Sequence, residues 1–210
     1  MLHLYKSNDI LSYMKPADST KPHVIVMVGV PSSGKSFFAE HFADTFKAPI
    51  VSFDLIRKEI FSNPLFSDDE NAIIRKLSDH ILSEMFKTKK TIIYEGQTGL
   101  RTERYDLTKK ASSAGYEPLF IWVQTDITTT QKRATKSSLE KPALSEEEFK
   151  SKVKKFNPPS KIEKFVVISG KHTYASQLKI VLKHLIQPHP ESVPSKEMIR
   201  TPKSRSFLIR

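Results

Sequence analysis

Residues 29–36 read Gly-Val-Pro-Ser-Ser-Gly-Lys-Ser, and no other stretch of the chain restricts its fold so much. Two glycines flanking four residues, followed at once by Lys and Ser, allow the backbone to curl until successive N–H groups face one concavity. When a helix starts at the end of that curl, its unpaired amides and the positive end of its dipole complete an anion site. This is the P-loop pattern. It needs a buried strand before it and an amphipathic helix after it, and both are present. Val24–Val28 is continuously apolar, and Phe38, Phe42 and Phe46 fall on one helical face with Ala39 and Ala43 beside them. The octapeptide assigns the phosphate cradle to Gly29, Pro31, Ser32, Ser33, Gly34, Lys35, Ser36 and Phe37. Lys35 reaches the β- and γ-phosphates, and the Ser36 hydroxyl serves a magnesium ion. ATP and Mg2+ are the expected ligands.

The rest of the chain reads as strand alternating with helix. Pro49–Phe53, Thr91–Tyr94, Leu119–Val123 and Phe165–Ile168 are further short apolar runs without polar alternation, as expected of strands covered on both faces. Between them, Ile74, Leu77, Ile81 and Met85 follow a capping box from Ser67 to Glu70. Leu107, Ala111 and Ala114 form a stripe ended by Gly115. Phe149, Val153 and Phe156 follow a second box, Ser145 to Glu148, and stop at Asn157-Pro158-Pro159. Tyr174, Leu178, Val181 and Leu185 close the series. Such alternation implies right-handed crossovers and a parallel sheet with helices on both faces. The expected division is an N-terminal extension at 1–22, one domain at 23–187 and a basic tail at 188–210.

In open α/β sheets, ligands gather at the carboxyl ends of the strands. Asp54 follows the second strand, where a carboxylate either takes a proton from an acceptor hydroxyl or merely caps the next helix. Arg57, three residues on, either holds Asp54 ionised or grips a phosphate of the acceptor. Glu95 ends the third strand, where it binds magnesium, contacts the acceptor or is a satisfied strand-end carboxylate. After the fourth strand, residues 130–160 read as a basic lid, and Arg133 within it is placed to neutralise charge on a transferring phosphoryl group. Trp122 is expected in the core. The seven histidines show no metal-ligand spacing, and His80 reads as a packed or surface residue.

The formal net charge is +11, of which residues 23–187 carry +7, so anionic partners such as nucleic acid are favoured. There is no cysteine, which removes disulfides, cysteine nucleophiles and thiolate metal sites from consideration. No secretory signal or membrane span is legible, and a cytoplasmic location is expected.

With GVPSSGKS, FDLIRKEIF, TIIYEGQTGLRTERY, AGYEPLFIWVQTD and QKRATK in view, the sequence resembles the P-loop kinases of the polynucleotide-kinase type from about Val24 to Leu185. Relatives of that type include zeta toxins and kinases of gluconate and chloramphenicol. The resemblance implies a five-stranded parallel sheet in the order 2-3-1-4-5 with a helical lid. It further implies Lys35 and Asp54 as catalytic residues, Asp54 being the general base, with Arg57 at the acceptor and Arg133 in the lid. Ser36 and Glu95 are then the metal residues. Two positions depart from the pattern. Glu95 stands where Asp is usual, and Lys136 stands where a second lid arginine is usual. The expected reaction is transfer of the γ-phosphoryl group of ATP to a polynucleotide 5′-hydroxyl. A sugar, nucleoside, antibiotic or cell-wall sugar nucleotide as acceptor, or an ATP-binding regulatory module without transfer, are the alternatives.

Overall fold

A computed structural model of the chain describes residues 21–136 and 143–186. The expected terminal segments, 1–22 and 188–210, thus lie almost wholly outside the described residues, as does the middle of the expected lid.

Five strands form one sheet: β1 (His23–Val28), β2 (Ile50–Ser52), β3 (Ile92–Glu95), β4 (Glu117–Gln124) and β5 (Phe165–Ser169). Their order is β2-β3-β1-β4-β5, every neighbouring pair is parallel, and this is the order that the resemblance implies. The central strand explains why its sequence is apolar without interruption, since Val24 through Val28 have no exposed surface on either face.

The helices sort by face. On one side, α1 (Lys35–Phe46) and α7 (Tyr174–Ile186) bring Phe38, Phe42, Leu178 and Val181 against Ile25, Met27, Ile121 and Ile168. On the other, α3 (Asp68–Lys87) and α4 (Arg101–Ser113) bring Leu82, Phe86, Leu107 and Ala111 against Val24, Val26, Tyr94 and Phe120. The short helix α2 (Phe53–Ile60) follows β2 directly, while α5 (Ile127–Ala134) and α6 (Glu146–Lys155) lie between β4 and β5. Among the described residues no helix is long and apolar enough to cross a membrane.

Two sequence expectations change in detail. The buried line of α3 runs Glu70, Ile74, Ser78, Leu82, Phe86, one position round from the expected stripe; Leu77, Ile81 and Met85 flank it. The N-terminus of α3 is capped by Ser67, whose hydroxyl accepts from the Glu70 amide at 3.3 Å. The Glu70 carboxylate does not close the box, however; it accepts from the Leu65 and Phe66 amides, each at 2.7 Å. At α6 both halves of the box form, between Ser145 and Glu148.

Candidate active site

The P-loop joins β1 to α1. Gly34 is the N-cap of α1 with φ 106°, a left-handed conformation in which a β-carbon would be strained, and no side chain caps the helix. The first-turn amides of α1 are thereby left for a ligand. The Ser33 hydroxyl is buried without a hydrogen-bond partner, and a ligand oxygen is the kind of group it lacks. Lys35 is half-buried rather than standing out in solvent. Its Nζ donates to the Gly29 and Val30 carbonyls at 3.1 and 3.0 Å, which keeps the ammonium over the loop.

Sheet order brings the other groups to the loop. Because β3 lies between β1 and β2, Glu95 at the end of β3 meets both neighbours. Ser36 Oγ donates to Glu95 Oε1 at 2.7 Å, and Ser52 Oγ donates to Oε2 at 3.3 Å. Glu95 is buried. One serine hydroxyl and one carboxylate at the start of a phosphate loop are hard oxygen donors suited to Mg2+ completed by water and phosphate oxygens. Ser52 is also the N-cap of α2, accepting from the Leu55 amide. Asp54, in the first turn of α2 and half-buried, is therefore not the cap of its helix. A hydrogen-bonded line Ser36–Glu95–Ser52 runs from the P-loop to the turn that carries Asp54.

Arg57 faces elsewhere. It is buried, donating from one Nη to Glu70 Oε2 at 3.0 Å and from the other to Asn71 Oδ1 at 2.7 Å, with its guanidinium 4.7 Å from the centre of the Phe66 ring. It ties α2 to α3. The Leu65 amide, against the effect of burial and aided by the Phe66 amide and Arg57, holds the Glu70 carboxyl below its usual range. Arg133, in the last turn of α5, is exposed. Phe37 is half exposed, its ring 4.3 Å from that of His41.

Several supports of the site have no motif of their own. The Thr125 hydroxyl donates to the Ser33 carbonyl at 2.9 Å, and Gly170 packs so closely on that carbonyl that a β-carbon there would lie 1.9 Å from the oxygen. Thr98 Oγ1 donates to the Met27 carbonyl at 2.7 Å. Arg104 has no exposed surface and makes an ion pair to Glu163. It also donates to the carbonyls of Thr98 and Asn157 at 3.0 and 2.9 Å. A signal for Arg104 existed, because it stands three residues before Leu107 and seven before Ala111 on the stripe that α4 buries. Trp122 is only half-buried, lying against Phe156 and Phe165 where it lines an open cleft.

The model of a family described as an AAA domain matches residues 24–159, well over half of the chain. The chain belongs to this AAA domain family. No functionally curated protein matches it in sequence. Solved structures resemble it in fold. A gluconokinase from Sinorhizobium meliloti 1021 is 20% identical with a TM-score of 0.55, covering 78% of this chain and 91% of its own. Kti12 from Chaetomium thermophilum, in complex with ADP-AlF3, is 15% identical with a TM-score of 0.55, covering 79% and 100%. APS kinase from Mycobacterium tuberculosis, in complex with AMPPNP and APS, is 14% identical with a TM-score of 0.54, covering 79% and 98%. The AAA domain thus has the P-loop kinase-like fold, without the polynucleotide-kinase type being singled out.

Proposed function

We propose that this AAA domain is an ATP- and Mg2+-dependent phosphotransferase acting on a hydroxyl acceptor. The observation that carries the reading is the convergence of Lys35 and Ser36 of the P-loop with Glu95 and the Asp54 turn through the Ser36–Glu95–Ser52 hydrogen bonds. Loop amides and Lys35 would hold the phosphates, with Ser36 and Glu95 holding the metal. When bound, magnesium supplies charge neutralisation at the β- and γ-phosphate oxygens. Asp54 orients the acceptor hydroxyl and takes its proton. The new oxygen–phosphorus bond forms as the bridging oxygen–γ-phosphorus bond breaks, and ADP leaves with the electron pair. Arg133 would reach the transferring group from the lid.

The +7 charge of residues 23–187 supports the 5′-hydroxyl of a nucleic-acid strand as acceptor. A small neutral acceptor is the second reading, favoured by one observation: Arg57 is buried and engaged with Glu70 and Asn71. Label transfer from γ-labelled ATP to 5′-hydroxyl oligonucleotides, nucleosides and sugars tests both, with 5′-phosphorylated oligonucleotides and Lys35→Ala protein as controls. Transfer to a strand supports the first reading, and transfer to metabolites alone supports the second. An absence of transfer to every acceptor, or transfer that survives in Lys35→Ala, rejects the phosphotransferase.

A further inference from the structure

The corner that joins α2 to α3 is braced by polar groups, yet what it presents to water is apolar. The Leu65 and Phe66 amides donate to the Glu70 carboxylate at 2.7 Å each, Arg57 pairs with Glu70 at 3.0 Å, and the Arg57 guanidinium stacks on the Phe66 ring. Phe66 is held at φ 56°, a left-handed conformation that a bulky side chain rarely adopts. Leu65 is nonetheless 81% exposed, and Ile60, Phe66 and Ile73 are exposed as well. All four gather round the Arg57–Glu70 pair: Ile60 follows Arg57 by one turn of α2, Ile73 follows Glu70 by one turn of α3, and Leu65 and Phe66 are bonded to Glu70 directly. Single apolar side chains on a surface are ordinary, whereas a group of them on one fixed corner marks an interaction surface. The corner is also acidic. Residues 59–70 hold four carboxylates and neither Lys nor Arg, in a chain of net charge +11; cations resume at Lys58 before it and Arg75 after it. Glu70 is neutralised by Arg57, while Glu59, Asp68 and Asp69 stand exposed at the rim.

We propose that this corner docks the chain's own segment 205–210, with Phe207, Leu208 and Ile209 on the apolar surface and Arg205 and Arg210 toward the acidic rim. The segment lies outside the described residues, and its sequence is the complement of the corner. It reads Arg-Ser-Phe-Leu-Ile-Arg, an apolar triplet between two cations, at the end of a stretch, 188–210, with five basic residues against two acidic. Opposite charges at the rim would select it and fix its direction, and the triplet would cover the exposed side chains. Residues 1–20 also contain apolar side chains, but their two lysines are matched by two aspartates, so they lack the cationic flanks. The open cleft at Trp122 is a poorer seat, because its one carboxylate, Asp126, is paired with Lys171. Reach does not limit the contact. Phe207 stands 21 positions after Ile186, where α7 ends, and such a stretch spans up to about 70 Å when extended. Half the way round a domain of this size, about 40 Å across, is roughly 60 Å.

The chain has no cysteine, so two introduced thiols report only on each other. Full-length Leu65→Cys/Ser206→Cys protein is oxidised in dilute solution with oxidised glutathione, beside Ile162→Cys/Ser206→Cys protein as the comparison. Ile162 is nearly as exposed as Leu65, and it precedes β5, against which α7 packs, whereas the corner follows β2 at the opposite edge of the sheet. Nearness to the end of α7 would therefore favour the Ile162 pair. Docking predicts the reverse, an intramolecular disulfide at Leu65 that forms about 10-fold faster or more, because a seated segment has a higher effective concentration than a freely diffusing one. Ile73→Cys in place of Leu65→Cys repeats the test from α3 without touching the loop. Asp68→Asn with Asp69→Asn, and separately Phe207→Ser with Leu208→Ser, should each remove most of the advantage, with thermal melting used to show that the proteins are folded. Equal rates for the Leu65 and Ile162 pairs, a faster Ile162 pair, or rates that neither set of substitutions moves would overturn the inference. Crosslinks that join two molecules and fade on dilution would overturn it too, by giving the corner to a second copy.

Discussion

Replacing Gly170 by Ala changes one hydrogen to a methyl group, yet it should disable the phosphate cradle. The added β-carbon would lie 1.9 Å from the Ser33 carbonyl oxygen and 2.3 Å from Thr125 Oγ1, well inside the 3.0 Å that real β-carbons respect. Restoring 3.0 Å requires about 1 Å of movement. Gly170 cannot easily supply it, because its amide is bonded to the Gln124 carbonyl at 2.8 Å. The P-loop must therefore shift and lose the Thr125 hydrogen bond. Overpacking of this kind costs about 1–3 kcal/mol of stability. Misplacing a positioned group by ~1 Å costs on the order of 100-fold in rate. We expect a folded protein with a lower melting temperature, ATP affinity reduced at least several-fold and transfer reduced by about two orders of magnitude. Gly99→Ala is the control, since nothing lies within 4 Å of a β-carbon there, and it should be near neutral. Calorimetric titration with ATP, thermal melting and initial rates decide the matter. A Gly170→Ala protein that matches the parent in melting temperature and ATP affinity would refute the proposed pinning of the loop.

Other perturbations follow from the same geometry. Asp54→Asn should lose transfer by roughly 100- to 10,000-fold with ATP binding and melting temperature nearly unchanged, because Ser52 rather than Asp54 caps α2; full activity in rate assays would remove Asp54 from the chemistry. Arg104→Met leaves Glu163 without its buried partner and should cost ~3 kcal/mol or more in denaturant unfolding, whereas adding Glu163→Met should recover part of that loss. A single substitution as destabilised as the double would contradict this. The Glu70 carboxyl is depressed below its ordinary 4.5 in the folded state, so its contribution is complete above that pH and is lost as pH falls through the folded value. Unfolding curves from pH 6 down to pH 3 should show this loss in the parent and a flatter dependence in Glu70→Gln.

Sequence spacing revealed what each element does within itself. Continuous apolar runs gave the five strands, Gly115 and the Asn157-Pro158-Pro159 stop marked helix ends, and the octapeptide placed the phosphate loop. Where a side chain chooses between partners on different elements, spacing was silent. Arg57 shares a helix with Asp54, and only the packing of α2 on α3 shows that it turns to Glu70 instead. Glu70 was legible as half of a capping box, yet the Leu65 and Phe66 amides, presented by the loop that enters α3, outcompete the Ser67 amide for its carboxylate. Trp122 reads as core because strands of this kind are normally covered. On β4 its neighbour is the edge strand β5, so part of the indole stays open. The meeting of Ser36, Glu95 and Ser52 depends on β3 lying between β1 and β2, an order that came from the family resemblance rather than from any local pattern.

The segment between β4 and β5 leaves the sheet and returns to it with both feet fixed. Thr125 is bound to the P-loop where the excursion departs. Asn157 is bound where it comes back, through the Gly99 carbonyl, the Arg101 amide and the Arg104 guanidinium. The stretch from 126 to 156 is therefore a cassette whose termini are clamped independently of its contents. A change of length or composition within it, or its exchange, should therefore leave these attachments in place. Its inner edge supplies Val153 and Phe156 to the cleft and its first helix carries Arg133, so such an exchange would alter both the cleft wall and the basic residue proposed for the transferring phosphoryl group.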